Sequence, residues 1–284
     1  MTIQVVGVVG AGVMGIGVAH NLAQAGYRVI LVDLSHDILT HASQEITNNL
    51  RLQRMWSKTR DQESISAIVE RITFTPDYDR LAEADFVIEN ATEKWDIKKV
   101  IHARLDTICP EHCIFAANTS AISITRIGSV TQRPSQVIGT HFMNPVPMKT
   151  MVEVICGHHT SDETIATTKA LLAAMGKECV VVNDMPGFVS NRISHLLMNE
   201  AAFIVQDQVA TAREVDEIFT KGYGHAMGPL QTADLIGLDT VVDTLHVLYQ
   251  SYQDPKFRCC PLLQKMVDAG LYGRKSGQGF YTYK

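Results

Sequence analysis

Three glycines, an acid and a histidine–glutamate pair are the residues of this 284-residue chain whose types and spacing could do chemistry. Gly10, Gly12 and Gly15 form a Gly-x-Gly-x-x-Gly turn directly after the apolar run 5–9, and Asp33 closes a second apolar run, 29–32. Buried strand, glycine turn, helix start, second strand and acid, in that order, are the fingerprint of a dinucleotide site. Gly10 permits the turn, and Gly12 lacks the Cβ that would keep a pyrophosphate off the backbone. Gly15 lets the helix pack close to the strand. Free N–H groups at the helix start, around Val13 and Met14, face the phosphates. Asp33 can accept from ribose hydroxyls and repels a 2′-phosphate, and Leu34-Ser35-His36 brings no Arg or Lys to welcome one. NAD is therefore favoured over NADP. The turn also leaves room for FAD, but no later motif resembles a flavin partner. A glycine turn used only for packing is the bland alternative.

The second group comprises Asn118-Thr119-Ser120, His141 to Asn144-Pro145, Glu153 and Asn191. Each lies at or just beyond the end of an expected element, and ligands of open α/β sheets bind beyond the carboxyl ends of the strands. His141 ends one expected strand, and Glu153 lies in the next across a turn holding Pro145 and Pro147. Adjacent strands would bring imidazole and carboxylate within reach. The carboxylate would fix the tautomer and steady the imidazolium while His141 takes a hydroxyl proton. A histidine at a strand end is also a common surface or core residue. Glu153, however, interrupts Met151-Val152-Glu153-Val154, where a carboxylate is expensive unless paired. Ser120 and Asn191, taken alone, read equally as a helix cap and a polar loop residue.

These groups need a scaffold, and the chain is long enough for one large domain or two of ordinary size. Strands are expected at 5–9, 29–32, 73–75, 85–89, 114–117, 137–141, 151–154 and 179–182. Helical spacing covers 36–55, 63–71, 93–105, 121–127 and 160–175, the first two reading as a helical hairpin inserted into the nucleotide half. Beyond Pro186-Gly187 the pattern turns helical (188–208, 212–220, 230–252, 261–269), with a strand-like tail at 279–283. The fold class expected is α/β: a Rossmann-like domain over 1–184, then an all-helical domain over 185–284. Net charge is −5 with no dense basic run, which argues against nucleic acid as a partner. No stretch reaches membrane-spanning length, and Met1 to Gln4 run straight into the first strand, so no signal peptide is expected. The six cysteines show no metal or disulfide spacing and read as reduced thiols of a cytoplasmic protein, with no metal site.

The order of the pieces resembles the 3-hydroxyacyl-CoA dehydrogenases, of the short bacterial 3-hydroxybutyryl-CoA dehydrogenase type. The resemblance rests on GAGVMGIG at 10–17, Val87-Ile88-Glu89 with Glu93 and Lys98, NTSAISIT at 118–125 and GTHFMNPVPMKTMVEVICG at 139–157. It continues through DMPGFVSNR at 184–192, MGPLQTADLIGLD at 227–239 and GRKSGQGFYTYK at 273–284. It implies an NAD-dependent enzyme interconverting a 3-hydroxyacyl and a 3-oxoacyl thioester. His141 would be the base and Glu153 its orienting partner, with Ser120 and Asn191 on the substrate oxygen. Asn144 would join the substrate contacts, and Glu93, Lys98 and Asn118 would line the cofactor site. The helical domain would serve substrate binding and homodimerisation.

Two departures bear on the substrate. The usual Lys-Gly-Lys-like hairpin turn is replaced by Arg51, Arg54, Trp56, Ser57, Lys58, Thr59 and Arg60, whose basic groups, Arg54 and Lys58 among them, could still hold a CoA phosphate. Gln231-Thr232 replaces the usual Glu-Leu after Met-Gly-Pro, and His225-Ala226 the usual aromatic-proline pair; polar changes near the acyl end suit a short or oxygenated acyl group or are neutral drift. An acidic acyl carrier protein in polyketide extender-unit biosynthesis would dock on the same basic face, so it stands as the alternative to CoA. A non-catalytic NAD-binding relative is a further alternative, opposed by the intact Ser120, His141, Glu153 and Asn191 set. Dehydrogenases that employ a lysine base are disfavoured, because Ile193-Ser194-His195-Leu196 follows Arg192 without one.

Overall fold

The computed structural model describes residues 2–56 and 63–283. It divides into two compact units, Met1–Asp184 and Met185–Lys284. The first is built on an eight-stranded sheet: β1 (Val5–Val9), β2 (Arg28–Val32), β3 (Ile72–Thr75), β4 (Phe86–Glu89), β5 (Ile114–Ala117), β6 (Val137–Phe142), β7 (Met151–Cys156) and β8 (Glu178–Asn183). Its spatial order is β3-β2-β1-β4-β5-β6-β7-β8. The first six of these run parallel, β7 is antiparallel to β6, and β8 is parallel to β7.

Physical reasons for this layout are local. The central strands are apolar on both faces because helices cover both sides of a parallel sheet, and every residue of β1, β4 and β5 is buried. The helices are α1 (Val13–Gln24), α2 (His36–Trp56), α3 (Ile65–Glu70), α4 (Trp95–Ile108), α5 (Ile124–Gly128) and α6 (Asp162–Ala174). One core, running from Val6 and Val8 through Leu22, Leu31, Ile46, Phe86 and Ile138 to Leu172, joins sheet and helices. The chain leaves β1 for β2 on one side, while β4 pairs on the other. That reversal creates the crevice in which such sheets hold dinucleotides.

Helix limits differ from the spacing in instructive ways. Helix α4 begins at Trp95 rather than Glu93 and runs on to Ile108. Helix α5 starts only at Ile124, because Ser123 caps it by accepting from the Arg126 N–H, which leaves Ser120 in an open turn.

The second unit contains α7 (Ser190–Gln206), α8 (Ala212–Glu217), α9 (Pro229–Ile236), α10 (Leu238–Tyr252) and α11 (Pro261–Asp268) around Met198, Ala202, Leu230, Leu245 and Leu263. The apolar spacing over 230–252 suggested one helix. Gly237, at φ +106°, breaks it into α9 and α10. The tail forms isolated bridges, Gly273 with Gln278 and Gln278 with Thr282, instead of a strand. Two buried carboxylates clamp it: Asp234 accepts from the Phe280 and Tyr281 N–H groups and the Tyr283 hydroxyl, and Asp216 accepts from the Tyr281 hydroxyl.

Candidate active site

The glycine turn follows β1 directly. Gly10 sits at φ +93°, and a Cβ there would lie 2.9 Å from the Asn90 carbonyl. A Cβ on Gly15 would lie 1.8 Å from the Gly10 oxygen, so only glycine lets α1 start this close to the strand. A Cβ on Gly12 would meet nothing within 4 Å, because that face of the turn opens outward. Val13 and Met14 open α1, with no acidic side chain in the first turn to compete for its free N–H groups. Asp33 is engaged before any ligand arrives: its carboxylate accepts from the Ala11 N–H at 2.5 Å and the Leu34 N–H at 2.6 Å. It thereby braces the turn, and each oxygen keeps a further lone pair for a ribose hydroxyl.

A cavity of about 340 Å³ extends from Gly10, Ala11 and Gly12 past Asp33 to Ile38, Tyr78 and Asn90. The open Gly12 face, the uncontested helix start and this pocket together fit NAD.

At the C-terminal ends of the neighbouring strands lies a polar network. Register places His141 of β6 directly opposite Glu153 of β7. His141 Nδ1 stands 3.2 Å from Glu153 Oε2, and both residues are buried. A carboxylate can only accept, so Nδ1 carries the proton, and in the neutral imidazole Nε2 then presents a lone pair. The Ser120 hydroxyl lies 3.3 Å from that Nε2. Glu93 organises the Ser120 turn from the other side, accepting from the Thr119 hydroxyl at 2.5 Å and from the Ser120 and Ala121 N–H groups at 2.9 and 3.0 Å. Asn118 donates to the Asn90 side chain at 2.8 Å and accepts from the Phe142 N–H at 3.3 Å, which links β5 to β6.

Lys98 is wholly buried, and its ammonium donates to both oxygens of Glu89 at 2.9 Å, to the Asn118 carbonyl at 3.1 Å and to the Ala91 carbonyl at 3.3 Å. His102 Nε2 approaches the same Glu89 carboxylate at 3.3 Å. Burial alone would raise the Glu89 pKa, but the His102 hydrogen bond and the Lys98 charge outweigh it and hold the carboxyl below the ordinary glutamate range. Glu89 and His102 had no assigned role in the sequence. The signal was available for Glu89, an acid ending the apolar run Phe86-Val87-Ile88, the same kind of signal that singled out Glu153.

Asn144 lies exposed in the turn between β6 and β7. Asn191 belongs to the second unit, in the first turn of α7, where its carbonyl meets His195 Nδ1 at 2.9 Å. Arg54, on the last turn of α2, donates to the Glu63 carbonyl. Lys58 lies outside the described residues, as do Ser57, Thr59 and Arg60. Among the described residues no group of His, Cys, Asp and Glu is arranged to hold a metal ion, and no helix is long and apolar enough to cross a membrane.

A Rossmann sheet carrying this glycine turn and acid defines an NAD-binding protein. The family model for the 3-hydroxyacyl-CoA dehydrogenase NAD binding domain matches residues 5–185, and that for the 3-hydroxyacyl-CoA dehydrogenase C-terminal domain matches residues 187–283. The chain belongs to the 3-hydroxyacyl-CoA dehydrogenase family. It is 43% identical to a probable 3-hydroxybutyryl-CoA dehydrogenase of Bacillus subtilis, over 100% of this chain and 99% of the relative. It is 42% identical to the 3-hydroxybutyryl-CoA dehydrogenase of Bradyrhizobium diazoefficiens, over 99% and 96% of the two chains. The crystal structure of the (S)-3-hydroxybutyryl-CoA dehydrogenase of Ralstonia eutropha superimposes with a TM-score of 0.95 at 42% identity, covering 100% of both chains.

Proposed function

We propose that the protein interconverts a short-chain 3-hydroxyacyl-CoA, of the 3-hydroxybutyryl-CoA kind, and its 3-oxoacyl counterpart. His141 acts as base, flanked at one ring nitrogen by Glu153 and at the other by Ser120; that arrangement is the observation that carries the reading. In the oxidative direction Nε2 removes the C3 hydroxyl proton, and Glu153 stabilises the resulting imidazolium from the opposite side of the ring. Ser120 and Asn191 hold the substrate oxygen, with Asn144 joining the substrate contacts, roles that rest on the similarity with the family. Glu93 keeps the Ser120 turn in place through Thr119 and two backbone N–H groups. When bound, NAD supplies the hydride acceptor; Gly10, Gly12, Val13, Met14, Gly15, Asp33 and Asn118 hold it, with Glu93 and Lys98 supporting the nicotinamide end.

The relatives named for 3-hydroxybutyryl-CoA favour CoA over an acyl carrier protein as the carrier. By similarity with the family we assign Arg54, in the last turn of α2, and Lys58 to holding a CoA phosphate. We also assign residues 1–184 to cofactor binding and 185–284 to substrate binding and homodimerisation. Support for the dimer is the exposed apolar side chains of the second unit, Ile193, Val209, Ile218 and Tyr223 among them. A cytoplasmic location suits six unbridged cysteines and an enzyme dependent on NAD and CoA.

The test is NADH formation with 3-hydroxyacyl thioesters that vary acyl length and carrier together. Highest kcat/KM is expected for a four-carbon acyl group on CoA. Equal or better turnover of the same group on a carrier protein contradicts the CoA assignment, and no turnover of any thioester contradicts the reaction.

A further inference from the structure

Lys177 is a buried cation with no ion pair among the described residues. It follows Gly176, where the chain leaves α6 and enters β8, and only 7% of its surface is exposed. Its ammonium donates to the Val146 carbonyl at 2.6 Å and to the Lys149 carbonyl at 2.8 Å. Burying an ammonium against carbonyl dipoles alone is costly, and burial holds its pKa below the ordinary lysine range. A residue whose only task was to fill space here could be apolar.

What the ammonium grips is the turn that joins β6 to β7, the two strands carrying His141 and Glu153. The turn is held at other points too. Val146 is buried against α1, where a Cβ on Gly17 would come within 2.9 Å of it. The Met148 and Lys149 N–H groups donate to the Pro145 carbonyl, and the Glu178 N–H donates to the Thr150 carbonyl at 2.8 Å. Between Pro145 and Thr150, however, the carbonyls of Val146 and Lys149 point at one side chain. Asn144 stands at the start of this turn, two residues beyond the end of β6.

We propose that Lys177 is a positioning residue for the reaction: by tying together the Val146 and Lys149 carbonyls it sets where the turn presents Asn144 and how the mouth of the His141–Glu153 hairpin meets the substrate. The inference rests on the reading that this hairpin carries the chemistry. The Lys177 ammonium is spent on two backbone carbonyls, so its influence is on geometry, and misplacement of reacting groups by about 1 Å costs on the order of 10²-fold in rate.

The experiment compares Lys177→Met, Lys177→Arg and the parent protein for kcat and KM with 3-hydroxybutyryl-CoA, for the Kd of NADH, and for thermal unfolding. Lys177→Met, close in length but without donors, is expected to lower kcat by about 10–100-fold with the NADH Kd unchanged. Lys177→Arg, which can still reach two carbonyls, is expected to recover much of the loss. Unchanged kcat in Lys177→Met overturns the proposal, and so does a loss of turnover that follows a parallel loss of NADH binding. Should Lys177→Met not fold, Lys177→Leu, which likewise lacks a donor, takes its place with the same criteria; failure of both to fold makes Lys177 a folding residue and overturns the proposal as well. His141→Ala measured alongside separates the two claims. If that variant turns over normally, the hairpin reading itself is wrong, whatever Lys177 does.

Discussion

Both units of this protein bury carboxylates, but the company those carboxylates keep differs. In the helical unit Asp216 accepts from the Leu230 and Gln231 N–H groups and the Tyr281 hydroxyl, and Asp234 accepts from the Phe280 and Tyr281 N–H groups and the Tyr283 hydroxyl. Every one of these partners is a donor that stays protonated at neutral pH. Burial and the adjacent Asp234 even push the Tyr283 phenol up to about 12. In the sheet unit Glu153 faces His141, and Glu89 faces Lys98 and His102. A buried acid surrounded by fixed donors is a fastener. One that faces an imidazole with its far nitrogen turned toward a serine hydroxyl can support proton transfer. Burial does not separate the two kinds; the titration behaviour of the partner does.

The contrast can be broken at several points. The largest effect belongs to His141→Ala: turnover should fall by about 10²–10⁴, the usual contribution of general base catalysis, while NADH titration gives an unchanged Kd. Near-normal turnover would place the base elsewhere.

Asp216→Asn should do the reverse. It sets an amide N–H₂ against the Leu230 or Gln231 N–H, which can only donate, so chemical denaturation should show a loss of about 1–3 kcal/mol. Turnover per folded molecule should stay at the parent value. If activity falls while stability holds, Asp216 is more than a fastener.

A smaller effect concerns His20, buried on α1. Burial first, and the nearby Lys177 charge, lower its pKa to about 4 against an opposing contribution from Gln53. A histidine kept neutral in the fold binds fewer protons than the unfolded chain does. Stability should therefore fall as pH drops from about 6.5 toward about 4. His20→Gln should flatten that part of the profile, and an unaltered slope would show that other groups set it.

Much of this was legible in the amino-acid sequence, for physical reasons that also mark where legibility stops. Strands buried on both faces are written as unbroken apolar runs, so β1, β4 and β5 stand out, and the glycine turn declares itself because two of its positions tolerate no side chain. Glu153 is conspicuous as a charge inside such a run. The pairing of Glu153 with His141 follows from an antiparallel register that spacing alone suggests without fixing.

Lys177, His102 and the bracing role of Asp33 were not legible. Their partners are backbone groups or residues brought near by folding, and nothing local distinguishes a lysine that caps two carbonyls from one that points to solvent. The break at Gly237 was missed because the apolar period continues across it; only the positive φ separates α9 from α10. Asn191, placed by similarity with the family, sits in a different unit from His141, and its role is a proposal that rests on that similarity.

The central claim is that Glu153 works through His141, and a double-mutant cycle tests it most directly. Glu153→Gln should lower kcat in the parent protein by at least about tenfold and have almost no further effect in the His141→Ala background, because the imidazole it orients is gone. Equal losses in the two backgrounds would mean that the carboxylate acts independently of the histidine, and the pair would no longer stand as the catalytic unit.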